Sequence, residues 1–265
     1  MASSSKDSAS CSEDSVSSLA ADLKGMTLGQ GTVFKVMSIN IGKHKKDDKK
    51  EQVHTEDDKK RKGLAQQKRE KVVDLLNEEK PDLVFLQECS SARELENSLP
   101  PSFKCAEGAV NDTNKSCSCI VFNEDNIEVK PFGITHLYLK ENAKLSDEEE
   151  FLERLKDGKG GLRDEKKKNI FSELLILLDE VCNKAECKVL VGGGFNLKYA
   201  KAEEVVQEGS NQYNLYTKGS QGKPMDDMVD YFMYNGPPGD VRNVRVGDAI
   251  DLFYHKPLYA DFKLK

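Results

Sequence analysis

The sequence predicts an α/β (α+β) domain, and two observations carry that prediction. Short runs rich in β-branched and aromatic residues recur along the chain, and segments with helical apolar spacing sit between them. Several strand runs also have a polar side chain at or just beyond them: Asn40, Glu88, Asn196, Asp230 and His255. Ligand chemistry is expected at such ends. At 265 residues the chain is long enough to bury a sizeable core.

Residues 1–31 are rich in Ser, Ala and Asp without a steady period, which predicts a flexible tail, and the folded domain is expected over 32–265. The run at 33–40 reads as a strand. A mixed-charge stretch at 43–62 follows and reads as a solvated loop; a nuclear-import patch and a phosphate-attracting rim are the sharper alternatives. Helical spacing over 64–79 puts Val72, Val73, Leu75 and Leu76 on one stripe, and Pro81 ends it. Residues 82–88 are then a short buried strand, so 33–88 forms a crossover unit whose two strands are expected to be neighbours or near neighbours.

Residues 118–122 and 126–130 read as a hairpin around 123–125, and 134–139 as a further strand. A helix is expected over 145–156, with Ser146 as its cap, broken by Gly158, Gly160 and Gly161. The clearest helix is 164–182, with Ile170, Phe171, Leu174, Leu175, Leu177, Leu178 and Val181 on a broad apolar face. The strand at 188–191 runs into a glycine turn that presents Phe195 and Asn196. Strands at 227–234, 241–246 and 259–264 complete the pattern.

A formal net charge of −6 and the lack of an aromatic-plus-basic stripe give no positive sign of nucleic-acid binding, while a local basic site stays open. The seven cysteines follow no metal or disulfide spacing, which favours a reducing compartment; Cys117 and Cys119 share one strand face as small buried side chains. No run approaches ~18 apolar residues and no basic-then-apolar leader opens the chain, so no membrane partner is expected. The expected location is intracellular, in cytosol or nucleus.

Five local words change the weight of the polar residues when taken in order. They are Ser38-Ile39-Asn40, Pro81-Asp82-Leu83-Val84-Phe85-Leu86-Gln87-Glu88, Val191-Gly192-Gly193-Gly194-Phe195-Asn196, Val229-Asp230-Tyr231-Phe232, and His255-Lys256-Pro257-Leu258-Tyr259. Together they resemble the endonuclease/exonuclease/phosphatase family over about residues 33 to 265. The resemblance implies a four-layer sandwich, with two mostly antiparallel β-sheets packed face to face and helices outside. It also implies a water attack on a phosphate ester assisted by Mg²⁺ or Mn²⁺. Glu88 and Asn40 would hold the metal, one carboxylate and one amide sufficing for an ion that keeps several waters. Asn196 would donate to a phosphoryl oxygen, His255 would contact the phosphate, and Asp230 would orient the imidazole.

Two positions depart from the family's words. Gly194 stands where members read the Asp of Gly-Asp-Phe-Asn, and Tyr254 where they read the Asp of Ser-Asp-His. The first of those acids positions or deprotonates the attacking water. The family's middle histidine has two readings here. His136, in Thr135-His136-Leu137, matches its usual word; by placement it falls near 158–161, where a strand would have been lost. Three functional readings stand open: a member with weak or absent hydrolysis, an active phosphodiesterase or nuclease using a substitute acid such as Asp248 or Asp251, and a non-catalytic module binding phosphate or protein. A phosphate ester or another polyanion is the partner class the resemblance implies, beside protein for the non-catalytic reading.

Overall fold

The computed structural model describes residues 33–42, 56–110, 117–127, 161–185, 188–209, 212–218, 226–253 and 255–263. The expected tail at 1–31, the strand at 134–139, the helix at 145–156, His136 and Tyr254 lie outside them. In chain order the elements are β1 (Val33–Asn40), α1 (Glu56–Glu79), β2 (Leu83–Cys89), α2 (Ala92–Glu96), β3 (Phe103–Val110) and β4 (Cys117–Asn123). Then come α3 (Gly161–Ala185), β5 (Leu190–Gly194), α4 (Tyr199–Gly209), β6 (Asn214–Tyr216), β7 (Asp230–Tyr234), β8 (Val241–Val246) and β9 (Leu258–Lys263).

Among the described residues two sheets form. One runs β3-β4-β2-β1-β9-β8 and the other β5-β7-β6. β1 and β2 pair in parallel, as a crossover through α1 requires, and every other pairing is antiparallel.

Period-two alternation sorts the side chains into three cores. From β1, Met37 and Ile39 join Val72, Leu75 and Leu76 of α1 on the outer side of the larger sheet. Phe34 and Val36 face the other way, into a core shared with Phe232 and Tyr234 of β7 and with Leu258, Ala260 and Phe262 of β9. The opposite face of β7 sends Tyr231 and Met233 against Phe171 and Leu175 of α3 and against α4. Helix, sheet, sheet, helix is therefore the layer order. The two sheets approach closely at Gly192, where a Cβ would lie 2.6 Å from the Phe85 ring and 2.8 Å from Phe232. No helix among the described residues is long and apolar enough to cross a membrane.

Two sequence expectations change. The charged stretch at 43–62 is not loop to its end, because α1 already starts at Glu56. Lys, Arg and Glu are good helix formers, and a charged run without apolar periodicity hides that. Against the expected hairpin of 118–122 with 126–130, β4 pairs with β3 on one side and β2 on the other; residues 128–130 lie outside the described residues. Cys117 and Cys119 are both buried, on one face, as their spacing predicts.

Candidate functional site

Alternation along β1 places Asn40 on the same face as Phe34 and Val36, at the rim where the two sheets meet. Alternation along β2 alone would not bring Glu88 to it. Val84 and Leu86 point into the α1-side core, and strict period two would send Glu88 there too. The β2–β4 register shifts between Leu86 and Cys89, and Glu88 adopts φ 56°. Such a bulge re-aims a side chain. Here it hands the core position to Cys89, which is fully buried, and turns Glu88 out to solvent beside Asn40. A left-handed backbone is costly for a residue with a Cβ and collects at functional positions.

Asn40 is the hub of the cluster. Its Nδ2 donates to Glu88 Oε1 at 3.0 Å, and its Oδ1 accepts from the Gly42 amide at 2.8 Å. Its backbone carbonyl accepts from the His255 amide at 3.4 Å, which ties the β8–β9 loop to the end of β1. On the other sheet Asp230 is paired with Gly194 across β7 and β5. Asp230 Oδ2 lies 2.6 Å from His255 Nδ1, both side chains being largely buried. A carboxylate at that distance fixes the orientation of the imidazole ring. Gly194 sits between these groups: a Cβ built there would be 3.0 Å from Asp230 Oδ1, 3.8 Å from Asn40 Nδ2 and 3.8 Å from His255 Cε1.

Asn196 follows two residues on, exposed and with φ 55°. The turn that carries it is anchored by Phe195, whose ring stacks on Tyr231 at 4.5 Å and meets Phe171 edge-on at 5.7 Å. The structure thus brings Asn40, Glu88, Asp230 and His255 together around Gly194, with Asn196 at the end of the same strand. Asp248 and Asp251 are exposed in the β8–β9 loop.

Two residues escaped the sequence reading. Lys68 of α1 donates to the Ile41 and Gly42 carbonyls, each at 2.6 Å, and so braces the turn that carries Asn40. Nothing distinguishes it from its lysine neighbours in sequence. At Gly42 a Cβ would stand 2.0 Å from Glu88 Oε2 and 2.9 Å from Asn40 Oδ1. The glycine two residues past the end of the Asn40 strand was the readable signal. Because the Glu88 carboxylate can swing into water, Gly42→Ala is expected to cost less than about 1 kcal/mol in folding. It should nonetheless break the Asn40–Glu88 bond. A urea melt reads the first effect, and the Asn40 side-chain amide resonances read the second.

No family model matches this sequence, and no curated protein matches it. Solved structures do. The truncated Caenorhabditis elegans TDP2 superposes with a TM-score of 0.53 at 16% identity, covering 88% of this chain and 99% of that one. An endonuclease/exonuclease/phosphatase family protein from Bacteroides thetaiotaomicron gives 0.51 at 11% identity, over 89% and 100%. The humanized D. rerio TDP2 gives 0.51 at 14% identity, over 87% and 99%. A two-sheet α/β sandwich with a polar cluster at the rim where the sheets meet is thus the class of architecture defined here. More narrowly, it is the DNase I-like fold of the endonuclease/exonuclease/phosphatase proteins.

Proposed function

We propose that this chain is a phosphoester-binding domain of endonuclease/exonuclease/phosphatase descent whose hydrolysis is weak or absent. The observation that supports it is the position of Gly194, whose missing side chain would project among Asp230, Asn40 and His255. A base there would be the group that activates water, and a positioned base contributes typically ~10²–10⁴-fold. The Tyr254 replacement, read from sequence, points the same way, since a phenol with an ordinary pKa of ≈ 10 is no carboxylate at neutral pH.

A divalent cation fits the donor set in a limited way. Among the described residues no three His, Cys, Asp or Glu side chains gather closely enough to hold a metal. Glu88 alone supplies an exposed carboxylate, and Asn40 Oδ1 keeps a second lone pair beyond the one used by Gly42. One carboxylate suits Mg²⁺ or Mn²⁺, which retain water ligands. When bound, such an ion would neutralise phosphate charge and stabilise a leaving oxygen.

The remaining work belongs to the chain's own groups. Asn40 orients the Glu88 carboxylate, and Asp230 orients the His255 imidazole, which would contact the phosphate. Asn196 is the second donor for such an oxygen. No side chain at 194 takes a proton from water, so the phosphate would be held without being cleaved efficiently.

Turnover of bis(p-nitrophenyl) phosphate in Mg²⁺ by the unmodified chain, beside Glu88→Ala, is the test. Turnover at background for both is expected, with Mg²⁺ binding by calorimetry that Glu88→Ala removes. Robust hydrolysis that Glu88→Ala abolishes would instead establish an active enzyme using a substitute acid.

A further inference from the structure

The bulge that turns Glu88 outward also leaves a row of thiols beneath it. Cys89, Cys105, Cys117 and Cys119 are cysteines outside any disulfide on the adjacent strands β2, β3 and β4. Cys89, Cys117 and Cys119 are buried in the core between the larger sheet and α1, and Cys105 is half-buried against it. Cys89 and Cys117 are direct partners across the antiparallel β2–β4 pair, whereas Cys119 stands opposite Leu86 and Glu107, and Cys105 opposite Val121. Residues directly opposed in an antiparallel pair have Cα atoms about 4.5–5.5 Å apart with side chains on one face. A disulfide spans Cα separations of about 4.4–6.8 Å. Diagonal partners, at about 7–8 Å, lie at or beyond that limit.

We propose that Cys89 and Cys117 form an oxidation site, a thiol pair that a peroxide converts to a cross-strand disulfide. One thiol of the pair attacks a peroxide oxygen, giving a sulfenic acid and one water. The opposite thiol then attacks that sulfenic sulfur and expels a second water. Two thiols lose two electrons and two protons, and one peroxide is reduced to two waters.

Cys89 directly follows Glu88, so the crosslink would pin the bulge that aims that carboxylate. The proposal needs only the strand register and is independent of whether the site binds phosphate.

The test treats the folded full chain with hydrogen peroxide, blocks free thiols with iodoacetamide and maps tryptic peptides without reduction. A crosslink between the peptide holding Cys89 and the peptide holding Cys117 and Cys119 is expected, with a loss of about 2 Da that dithiothreitol reverses. Cys105 lies in a separate peptide, between the cleavage sites Lys104 and Lys115. The crosslink should persist in Cys119→Ser and vanish in Cys117→Ser. Its absence from the unmodified chain overturns the proposal without relying on any variant. A crosslink to the Cys105 peptide, or one that survives Cys117→Ser, overturns it equally.

Discussion

Gly194→Asp is expected to raise Mg²⁺-dependent phosphodiester turnover by about 10²–10⁴-fold over the unmodified chain, the range a positioned base supplies. Backbone conformation permits it, since Gly194 is outside the left-handed region where a side chain would be strained. Space permits it narrowly: the closest atom to the new Cβ is Asp230 Oδ1 at 3.0 Å, a side-chain oxygen that has to yield only a few tenths of an ångström. The larger cost is electrostatic. Two carboxylates about 4 Å apart repel by roughly 4 kcal/mol at an effective dielectric near 20, and His255 together with a bound cation must offset it. The variant is therefore expected to melt lower than the parent without Mg²⁺ and to recover as Mg²⁺ is added. Gly194→Asn is the control, filling the same volume with no base. Equal turnover by the Asn and Asp variants would show that volume, not proton transfer, was missing. Background turnover by a folded Asp variant would place the defect elsewhere, with Tyr254→Asp in the same chain as the next step.

The parts of the fold that the sequence displayed share one property: their side chains have nowhere else to go. β1, β2 and β7 are flanked on both sides by other strands and packed on both faces, so their apolar runs are nearly continuous. α3 carries a broad apolar face because it covers the smaller sheet. β3 was missed because Phe103–Val110 reads FKCAEGAV, mostly small or polar residues at the edge of its sheet, where pairing with β4 and not side-chain pattern makes the strand. β6 is three residues long, below what periodicity can register. α4 was legible and passed over: Tyr199, Ala202, Val205 and Val206 recur at helical spacing and are all buried.

At the site, the identities of Asn40, Glu88, Asp230 and His255 were readable from local words. Their meeting was not. It depends on a bulge at Glu88 and on the cross-sheet approach at Gly192, both of them backbone events set by tertiary packing. Lys68 was invisible for the related reason that its partners are backbone carbonyls, which carry no sequence signature.

Phe262→Ala is expected to give the largest stability loss of any single truncation in the inter-sheet core, about 3–5 kcal/mol. Phe262 is fully buried in β9, paired with Phe34 of β1 on one side and Val241 of β8 on the other. Its ring lies 5.5 Å from Phe232, 5.4 Å from Tyr234 and 6.3 Å from Tyr216, each in a near-perpendicular arrangement. Three of the smaller sheet's aromatic side chains thus converge on one ring of the larger sheet. The cost of a truncation depends on how far its surroundings collapse into the space. Here both walls are hydrogen-bonded ladders, and β9 is held from two sides, so neither sheet can close the gap by sliding a side chain inward. A residue carried by a helix, such as Phe171 of α3, has the softer wall, because α3 is free of ladder bonds and can shift toward the sheet. Phe171→Ala is accordingly expected to cost less than Phe262→Ala, although the same atoms are removed. Urea denaturation of both variants decides it, read as a fall in midpoint at unchanged slope. Equal losses would mean that the two layers are equally rigid, and a loss below about 1 kcal/mol at Phe262 would mean that the sheets are not held together at this ring.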